Sequence, residues 1–465
     1  MDRYDVVVVG GGWGGFTAAV RTAQLGKSVA LIERDRLGGT CLNRGCIPTK
    51  VLIETADLLA RARHAADLGV SVGDVGLDFD RVRARMDEVV GQLRKGVETL
   101  VKTNKVTLLS GDARVESPSR VTVRGADGVQ ELEAGDVIIA TGSRPKMLPR
   151  LDVDSPRILD SDALLRITRV PSSIIVLGAG AVGAEFASLL ADYGSRVTLV
   201  EMLPRVLPLE DADCSQVVDR AFRKRGIEVL TGAAFRTESI ELTEGGLACV
   251  VEKDGEQRQL TAESLLVAVG RDAVLDGFDA ARLGLKVERG VVVVDERMRT
   301  SVPHLYAVGD VNGGLQLAHV AAAEGTLAAE TIAGNDDSPL LPFERLPRGT
   351  YTRPQVGSVG LTEQQAKERG LAVRTGRAHF RANGRALIRG EVDGFVKVVA
   401  DADRGDVLGI HVVGPEATEL VAEGALARFL DAAVWELAAS VHPHPTLAEA
   451  LGEAATAASR SPTRL

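Results

Sequence analysis

The stretch Gly38–Lys50, GGTCLNRGCIPTK, places Cys41 and Cys46 with four residues between them. Two thiols this close can grip a metal, staple a loop, or form a disulfide that is broken and remade. The chain of 465 residues has only four cysteines, too few for a disulfide framework. In a reducing compartment a close pair is more often catalytic or metal-binding than a staple. Zinc calls for a second pair or a histidine pair nearby, and the nearest histidine, His64, stands alone. The redox reading leads, although the pair alone leaves it open. In a regular helix these positions are too distant to bridge, because a disulfide needs Cα atoms within about 7 Å. As a disulfide, the segment would have to be distorted at a helix start, and Gly45 and Pro48 are compatible with that. Cys214 and Cys249 sit in ordinary helix-like and strand-like surroundings and read as structural.

Two ungapped segments, Gly10–Glu33 and Gly178–Glu201, form an internal repeat. Each follows an apolar strand and opens with G-x-G-x-x-G: Gly10, Gly12 and Gly15 in the first, Gly178, Gly180 and Gly183 in the second. Each continues as an apolar-periodic helix ending near a glycine, Gly26 or Gly194, and closes with a β-rich run to an acid. The glycines allow a tight turn, close approach to a pyrophosphate, and close helix–strand packing. The helix N-terminus offers free N–H groups to phosphate, and the acid accepts from a ribose 2′-OH. Glu201 welcomes a free 2′-OH and repels a 2′-phosphate, and Arg205 is the first basic residue after it. NAD(H) is therefore favoured over NADP(H) at the second site. Trp13, inside the first glycine turn, is given no function.

The composition is that of an ordinary folded chain, 45 % apolar and 26 % charged. The net charge of −9 and 3 % aromatic content argue against nucleic acid as a partner. No apolar run reaches the ~18 residues of a membrane span. The N-terminus, MDRYDVVVVG, reads as a strand from the outset rather than a leader, so a cytoplasmic protein is expected.

DVIIATGSRP (Asp136–Pro145) and SLLVAVGRDA (Ser264–Ala273) are a second duplicated pair, each closing one nucleotide-binding half. Val291–Val311 reads as strand, turn and strand ending at Gly309-Asp310, where an acid meets a ligand at a sheet edge. A helix should follow, beginning near Leu317. From about residue 344 the texture changes. GFVKVVADADRGDVLGIHVVG reads as two strands joined by an Asp/Gly turn, with helices around 416–430 and 446–458. The expected fold is α/β. It has a discontinuous Rossmann-like domain over 1–145 and 273–343, a second over 146–272, and a C-terminal α+β domain over 344–465.

Gly38–Lys50, both fingerprints, ATGSRP, TSVPHLYAVGD, YTRPQVGSVGLTE, ANGRAL and HPHPTLAEALGEAA together resemble the flavin-dependent pyridine nucleotide–disulfide oxidoreductases, across essentially the whole chain. The resemblance implies FAD at the first site, NAD at the second, and a homodimer built through the C-terminal domain. It implies oxidation of a dihydrolipoyl group with reduction of NAD. The donor would be a lipoyl-bearing protein of a 2-oxo acid dehydrogenase or glycine cleavage complex. Each active site would combine the cysteine pair and flavin of one chain with the HPHPTLAE segment of the other. Mercuric reductases carry a C-terminal cysteine pair where this chain ends RSPTRL, and transhydrogenase relatives lack one of the paired cysteines. Glutathione-type reductases prefer NADP and read Ser rather than Leu after H-P-T. An NADH-dependent reductase of another small disulfide, or a non-catalytic flavoprotein scaffold, are the alternatives.

Residue by residue, the resemblance implies that Cys41 exchanges with the substrate while Cys46 faces the flavin. Lys50 matches a lysine near the flavin N5 region, and Glu185 its ion-pair partner. His444 is the base, held by Glu449. Gly10, Gly12, Gly15, Glu33, Arg34, Gly39 and Thr40 would hold FAD. Ala140, Thr141, Gly142, Gly309, Asp310, Leu317 and Ala318 would join them. Gly178, Gly180, Gly183, Glu201, Val269 and Gly270 would hold NAD. No metal is expected. T-x-x-E from Thr446 is also a capping box, and one carboxylate seldom serves both as cap and as orienter of a base. A cis bond is expected before Pro445. Pro443 replaces the usual Ala, which leaves His442 only loosely assigned. The GRDAVLDGF run after Val269 departs from the family's usual Pro-Asn.

Overall fold

The apolar run ahead of each glycine loop is the central strand of a parallel sheet. Strands buried on both faces need no alternation, so Val6–Val9 and Ser173–Leu177 are continuous apolar tracts. The structure, a computed structural model, describes residues 1–149, 151 and 155–459. The chain is α/β and divides into two units by contact.

The first unit comprises Met1–Val51, Arg81–Lys146 and Arg271–Phe343. Its sheet runs in the order Thr107–Ser110, Val29–Glu33, Asp2–Val9, Gly128–Ile139, Arg120–Gly125 and Asp112–Ser117, with Leu305–Ala307 also paired to Gly128–Ile139. Asp2–Val9 pairs in parallel with both neighbours, which brings the first glycine loop, Ala140–Gly142 and Gly309–Asp310 to the carboxyl ends of adjacent strands. The helices Trp13–Gln24 and Ala318–Ile332 pack backbone to backbone. A Cβ on Gly325 would lie 2.3 Å from the Gly14 carbonyl oxygen.

The second unit comprises Leu52–Asp80, Met147–Gly270 and Glu344–Leu465. Its parallel sheet runs Glu228–Thr231, Arg196–Glu201, Ser173–Leu177, Ser264–Val267, Ile158–Leu159. A three-stranded antiparallel sheet follows from Ala234 to Ala262. The C-terminal sheet is antiparallel, in the order Arg348–Thr350, Gln355–Gly360, Val407–Gly414, Phe395–Asp401, Val373–His379. Phe395–Asp401 and Val407–Gly414 are the hairpin read from the Asp/Gly turn. The helices Ala417–Phe429 and Glu449–Ala458 cover this sheet. A further helix, Val434–Ala439, lies between them and was not anticipated, because six residues are too few to show a period. Among the described residues no helix is long and apolar enough to cross a membrane.

Candidate active site

The cysteine segment is broken where the pairing demands it. Gly39–Arg44 forms one helix and Cys46–Arg63 the next, with Gly45 at φ −146°, ψ −109° between them. Cys41 lies inside the first helix and Cys46 begins the second, so the break folds the two thiols toward each other. They hydrogen-bond to one another. That bond, then burial, holds the Cys41 thiol well above its ordinary range, while the Lys50 charge pulls the other way. Asn43 ties the segment down by donating to the Leu37 and Gly39 carbonyls at 3.0 and 3.1 Å. The segment begins on the first glycine loop: Gly38 N–H donates to Gly11 O at 2.8 Å, and a Cβ on Gly39 would lie 2.7 Å from Gly12 Cα. A ligand seated on that loop therefore has the thiols beside it. Cys214 and Cys249 are buried.

The two glycine loops are near copies. Gly10 and Gly178 have φ of 105° and 98°, and a Cβ on either would strike the Ala140 or Ala268 carbonyl oxygen at 2.3 and 2.4 Å. A Cβ on Gly15 or Gly183 would lie 1.8 Å from the oxygen of Gly10 or Gly178. The middle glycines differ: a Cβ on Gly12 would have Gly39 Cα as its nearest neighbour, at 3.9 Å, and a Cβ on Gly180 would meet nothing within 4 Å. The helices Trp13–Gln24 and Ala181–Tyr193 begin there without a side-chain cap. Open space in front of uncapped N–H groups fits a pyrophosphate at each loop.

The closing acids also match. Glu33 accepts from Gly11 N at 2.7 Å and Asp35 N at 2.8 Å. Glu201 accepts from Ala179 N at 2.6 Å and Leu203 N at 2.8 Å. Each carboxylate thus braces its own glycine loop, with acceptor capacity left for a ribose hydroxyl. Arg205 spends its guanidinium on the Pro208 and Glu210 carbonyls, at 2.9 and 3.4 Å. Arg34 makes an exposed ion pair with Asp112. Thr40 lies in the Gly39–Arg44 helix beside Gly39. Val269 and Gly270 follow the strand Ser264–Val267, with Gly270 at φ 117°.

Thr141 donates to Val274 O at 2.6 Å, which fixes the Ala140–Gly142 turn. Asp310 sits in a short 3-10 turn, Gly309–Asn312, and accepts from the Ser143 hydroxyl. Arg271 donates to that same hydroxyl at 2.7 Å and lies 3.8 Å from Asp310. Leu317 caps the helix that starts at Ala318. Sequence reasoning missed Ser143, Arg271 and Glu324. Arg271 stood inside the departing GRDA run, which was the available signal.

Glu324 is buried and accepts from Gly309 N at 2.6 Å and Asn312 Nδ2 at 2.9 Å. Burial lifts its carboxyl from the ordinary 4.5 to about 7, against the pull of those hydrogen bonds, and Asp310 adds repulsion. A proton held more tightly folded than unfolded stabilises the fold below about pH 4.5, and that contribution fades as pH rises to about 7. Glu324→Gln should melt like wild type near pH 5 and higher than wild type near pH 8, by an amount of order 3 kcal/mol. Thermal melts at both values check this; parallel curves would contradict it.

His444 Nδ1 lies 2.7 Å from Glu449 Oε1, and Thr446 N donates to Glu449 Oε2 at 2.8 Å. The expectation that one carboxylate seldom does both jobs is corrected here: each oxygen takes one. The capping box is only half made. Thr446 Oγ1 donates to Pro443 O, and the helix Glu449–Ala458 is preceded by Ala448 as its cap residue. The Thr446 N–H first, then His444, hold the Glu449 carboxyl below its usual range. With Nδ1–H donating to a carboxylate, Nε2 is left as the outward acceptor on an exposed ring. The His444–Pro445 bond is cis. Asn383, from ANGRAL, donates to Thr446 O at 2.9 Å and steadies the segment. His442 is held separately, by Glu423 at 2.8 Å.

Glu185 is buried in the helix Ala181–Tyr193 and accepts from Tyr351 N at 2.9 Å. Lys50 lies one turn into the helix that Cys46 begins. Trp13 stacks at a tilt on Phe16, ring centres 5.3 Å apart. Among the described residues no group of three or more His, Cys, Asp or Glu could hold a metal.

Comparison with known proteins bears on the whole chain. Residues 4–325 match the profile described as pyridine nucleotide-disulphide oxidoreductase, and residues 346–455 its dimerisation domain. Dihydrolipoyl dehydrogenase of Bacillus subtilis is 44 % identical over 465 residues, covering 98 % of each chain. That of Zymomonas mobilis is 42 % identical, also covering 98 % of each. Among solved structures, LpdA of Mycobacterium tuberculosis superposes with TM-score 0.88 at 29 % identity, over 98 % of this chain and 99 % of that one. RclA of Escherichia coli, a HOCl-induced flavoprotein disulfide reductase, superposes with TM-score 0.85 at 27 % identity, over 97 % and 99 %.

Proposed function

The chain belongs to the pyridine nucleotide-disulphide oxidoreductase family, and on that footing we propose that it oxidises dihydrolipoyl groups with reduction of NAD⁺, through Cys41 and Cys46. The observation that carries this reading is the mutually hydrogen-bonded thiol pair, folded by a helix break onto the first glycine loop. FAD and NAD(H) are the cofactors. The uncapped helix at Gly12, with Glu33, Thr141 and Asp310, fits FAD, and that at Gly180, with Glu201, fits NAD(H). Residues 1–145 with 273–343 are assigned to the flavin domain, 146–272 to the NAD domain and 344–465 to dimerisation. The dimerisation domain supports a homodimer. The reducing partner is assigned as a lipoyl-bearing protein of a 2-oxo acid dehydrogenase or glycine cleavage complex, met in the cytoplasm.

FAD, when bound, supplies the two-electron relay between the dithiol and NAD⁺. The protein's own residues handle sulfur and protons. A substrate thiolate attacks Cys41 of the oxidised pair; the Cys41–Cys46 bond breaks and Cys46 departs as thiolate. The second substrate thiolate then attacks the mixed disulfide, which closes the lipoyl ring and releases Cys41. His444 of a second copy takes the substrate proton at Nε2, while Glu449 holds Nδ1–H and stabilises the imidazolium. The Lys50 charge favours thiolate at Cys41. Lys50 and Glu185 are assigned to the flavin site by the family likeness.

The likeness to RclA favours a second reading, reduction of another disulfide by NADH. A panel of disulfides offered with NADH separates the two. The first reading expects turnover on lipoamide well above glutathione disulfide and cystine. Preference for either of the others would replace it.

A further inference from the structure

The C-terminal sheet carries a line of polar residues that crosses all five strands. Arg348 stands opposite Ser358, Ser358 opposite His411, His411 opposite Lys397, and Lys397 opposite Arg377. Directly opposed residues share one face. Ser358, His411 and Lys397 are each no more than 1 % exposed. Burying a lysine costs several kcal/mol unless it is closely paired, so the acids that meet this line must be held firmly in place.

Most of those acids come from one short stretch, Glu210 to Asp213. Glu210 pairs with Arg348 at 3.2 Å. Asp211 meets Lys397 with both oxygens at 3.0 Å. Asp213 meets Lys397 at 2.6 Å and also pairs with Arg377. Glu363 completes the ring around Lys397 at 2.8 Å. Asp211 also caps the helix Ala212–Lys224.

The same stretch ends the segment that leaves the second glycine loop. Glu201 accepts from Leu203 N. Leu207, buried with φ 45°, donates to Ala179 O at 2.8 Å, inside the glycine loop itself. Ser215 Oγ donates to Leu207 O at 3.1 Å. Segment 202–210 is thus pinned at one end by the glycine loop and at the other by the charged line on the sheet.

We propose that Lys397, with Arg348 and Arg377, is a positioning seat for the NAD(H) site: it fixes segment 202–213 against Ala179 and Glu201 and so sets how tightly NAD(H) is held. This rests on the reading that Gly178–Glu201 takes NAD(H). Ion pairs suit the task because they fix register, whereas apolar burial is non-directional.

The test measures the KM for NAD⁺ with the flavin-loaded enzyme. Lys397→Met should raise it on the order of two- to thirtyfold. Arg348→Met should raise it less, and Arg348→Lys should restore it. Reduction of the bound flavin by dihydrolipoamide, without NAD⁺, should be unchanged in all three. If Lys397→Met does not fold, the partly exposed Arg348 pair decides alone. Lower melting temperatures with an unchanged KM would overturn the proposal and leave the line a purely structural joint. Glu201→Ala serves as the reference: if it loses NAD⁺ while the seat variants keep it, only the seat falls. If Glu201→Ala also keeps NAD⁺, the second glycine loop is not the NAD site and both readings fall.

Discussion

Cys46→Ser should lose dihydrolipoamide-driven NAD⁺ reduction by on the order of a thousandfold or more, the range met when a nucleophile is deleted, while keeping its FAD. A hydroxyl cannot form the disulfide that accepts the electron pair, and the other two cysteines, Cys214 and Cys249, are buried. The fold should tolerate the change. Cys46 is exposed at the first position of its helix, so the near-isosteric change buries no new polar group. Flavin absorbance and melting temperature therefore serve as controls. Turnover within tenfold of wild type would remove the pair from the mechanism.

His444→Gln should cost about a hundred- to ten-thousandfold in turnover, the span of a positioned general base. The ring is exposed in the single chain, as expected of a group that works on a site in a second copy. Glu449→Gln should cost less, since an amide can still accept from Thr446 N but cannot balance an imidazolium. Its carboxyl is held below the ordinary range, so the loss should persist across neutral pH rather than vanish on the acid side. Equal rates for wild type and His444→Gln, measured with saturating substrates, would contradict the assignment.

Much of this architecture is local in the sequence, and that part was legible. The glycine loops announce themselves because turn, helix, second strand and closing acid fall within 24 residues, twice over, each after an apolar strand. That the cysteine segment must be distorted at a helix start followed from disulfide reach once the pair was read as a disulfide, and Gly45 is where the helix is interrupted. What escaped is what depends on register or on distant chain. Arg348, Ser358, His411, Lys397 and Arg377 are scattered between positions 348 and 411, and only strand pairing aligns them. Glu324 looked like any helix carboxylate until the Gly309–Asn312 turn was laid over it. Glu449 posed a choice between cap and orienter because the two are alternatives in sequence, whereas its two oxygens point to different partners in space.

The most direct measurement is the rate of NADH formation from NAD⁺ and dihydrolipoamide by the purified yellow protein. Sustained turnover, with the bound flavin cycling and NADP⁺ a much poorer acceptor, is the predicted result. A flavin-loaded protein that dihydrolipoamide neither reduces nor drives to NADH would contradict the dihydrolipoyl assignment outright.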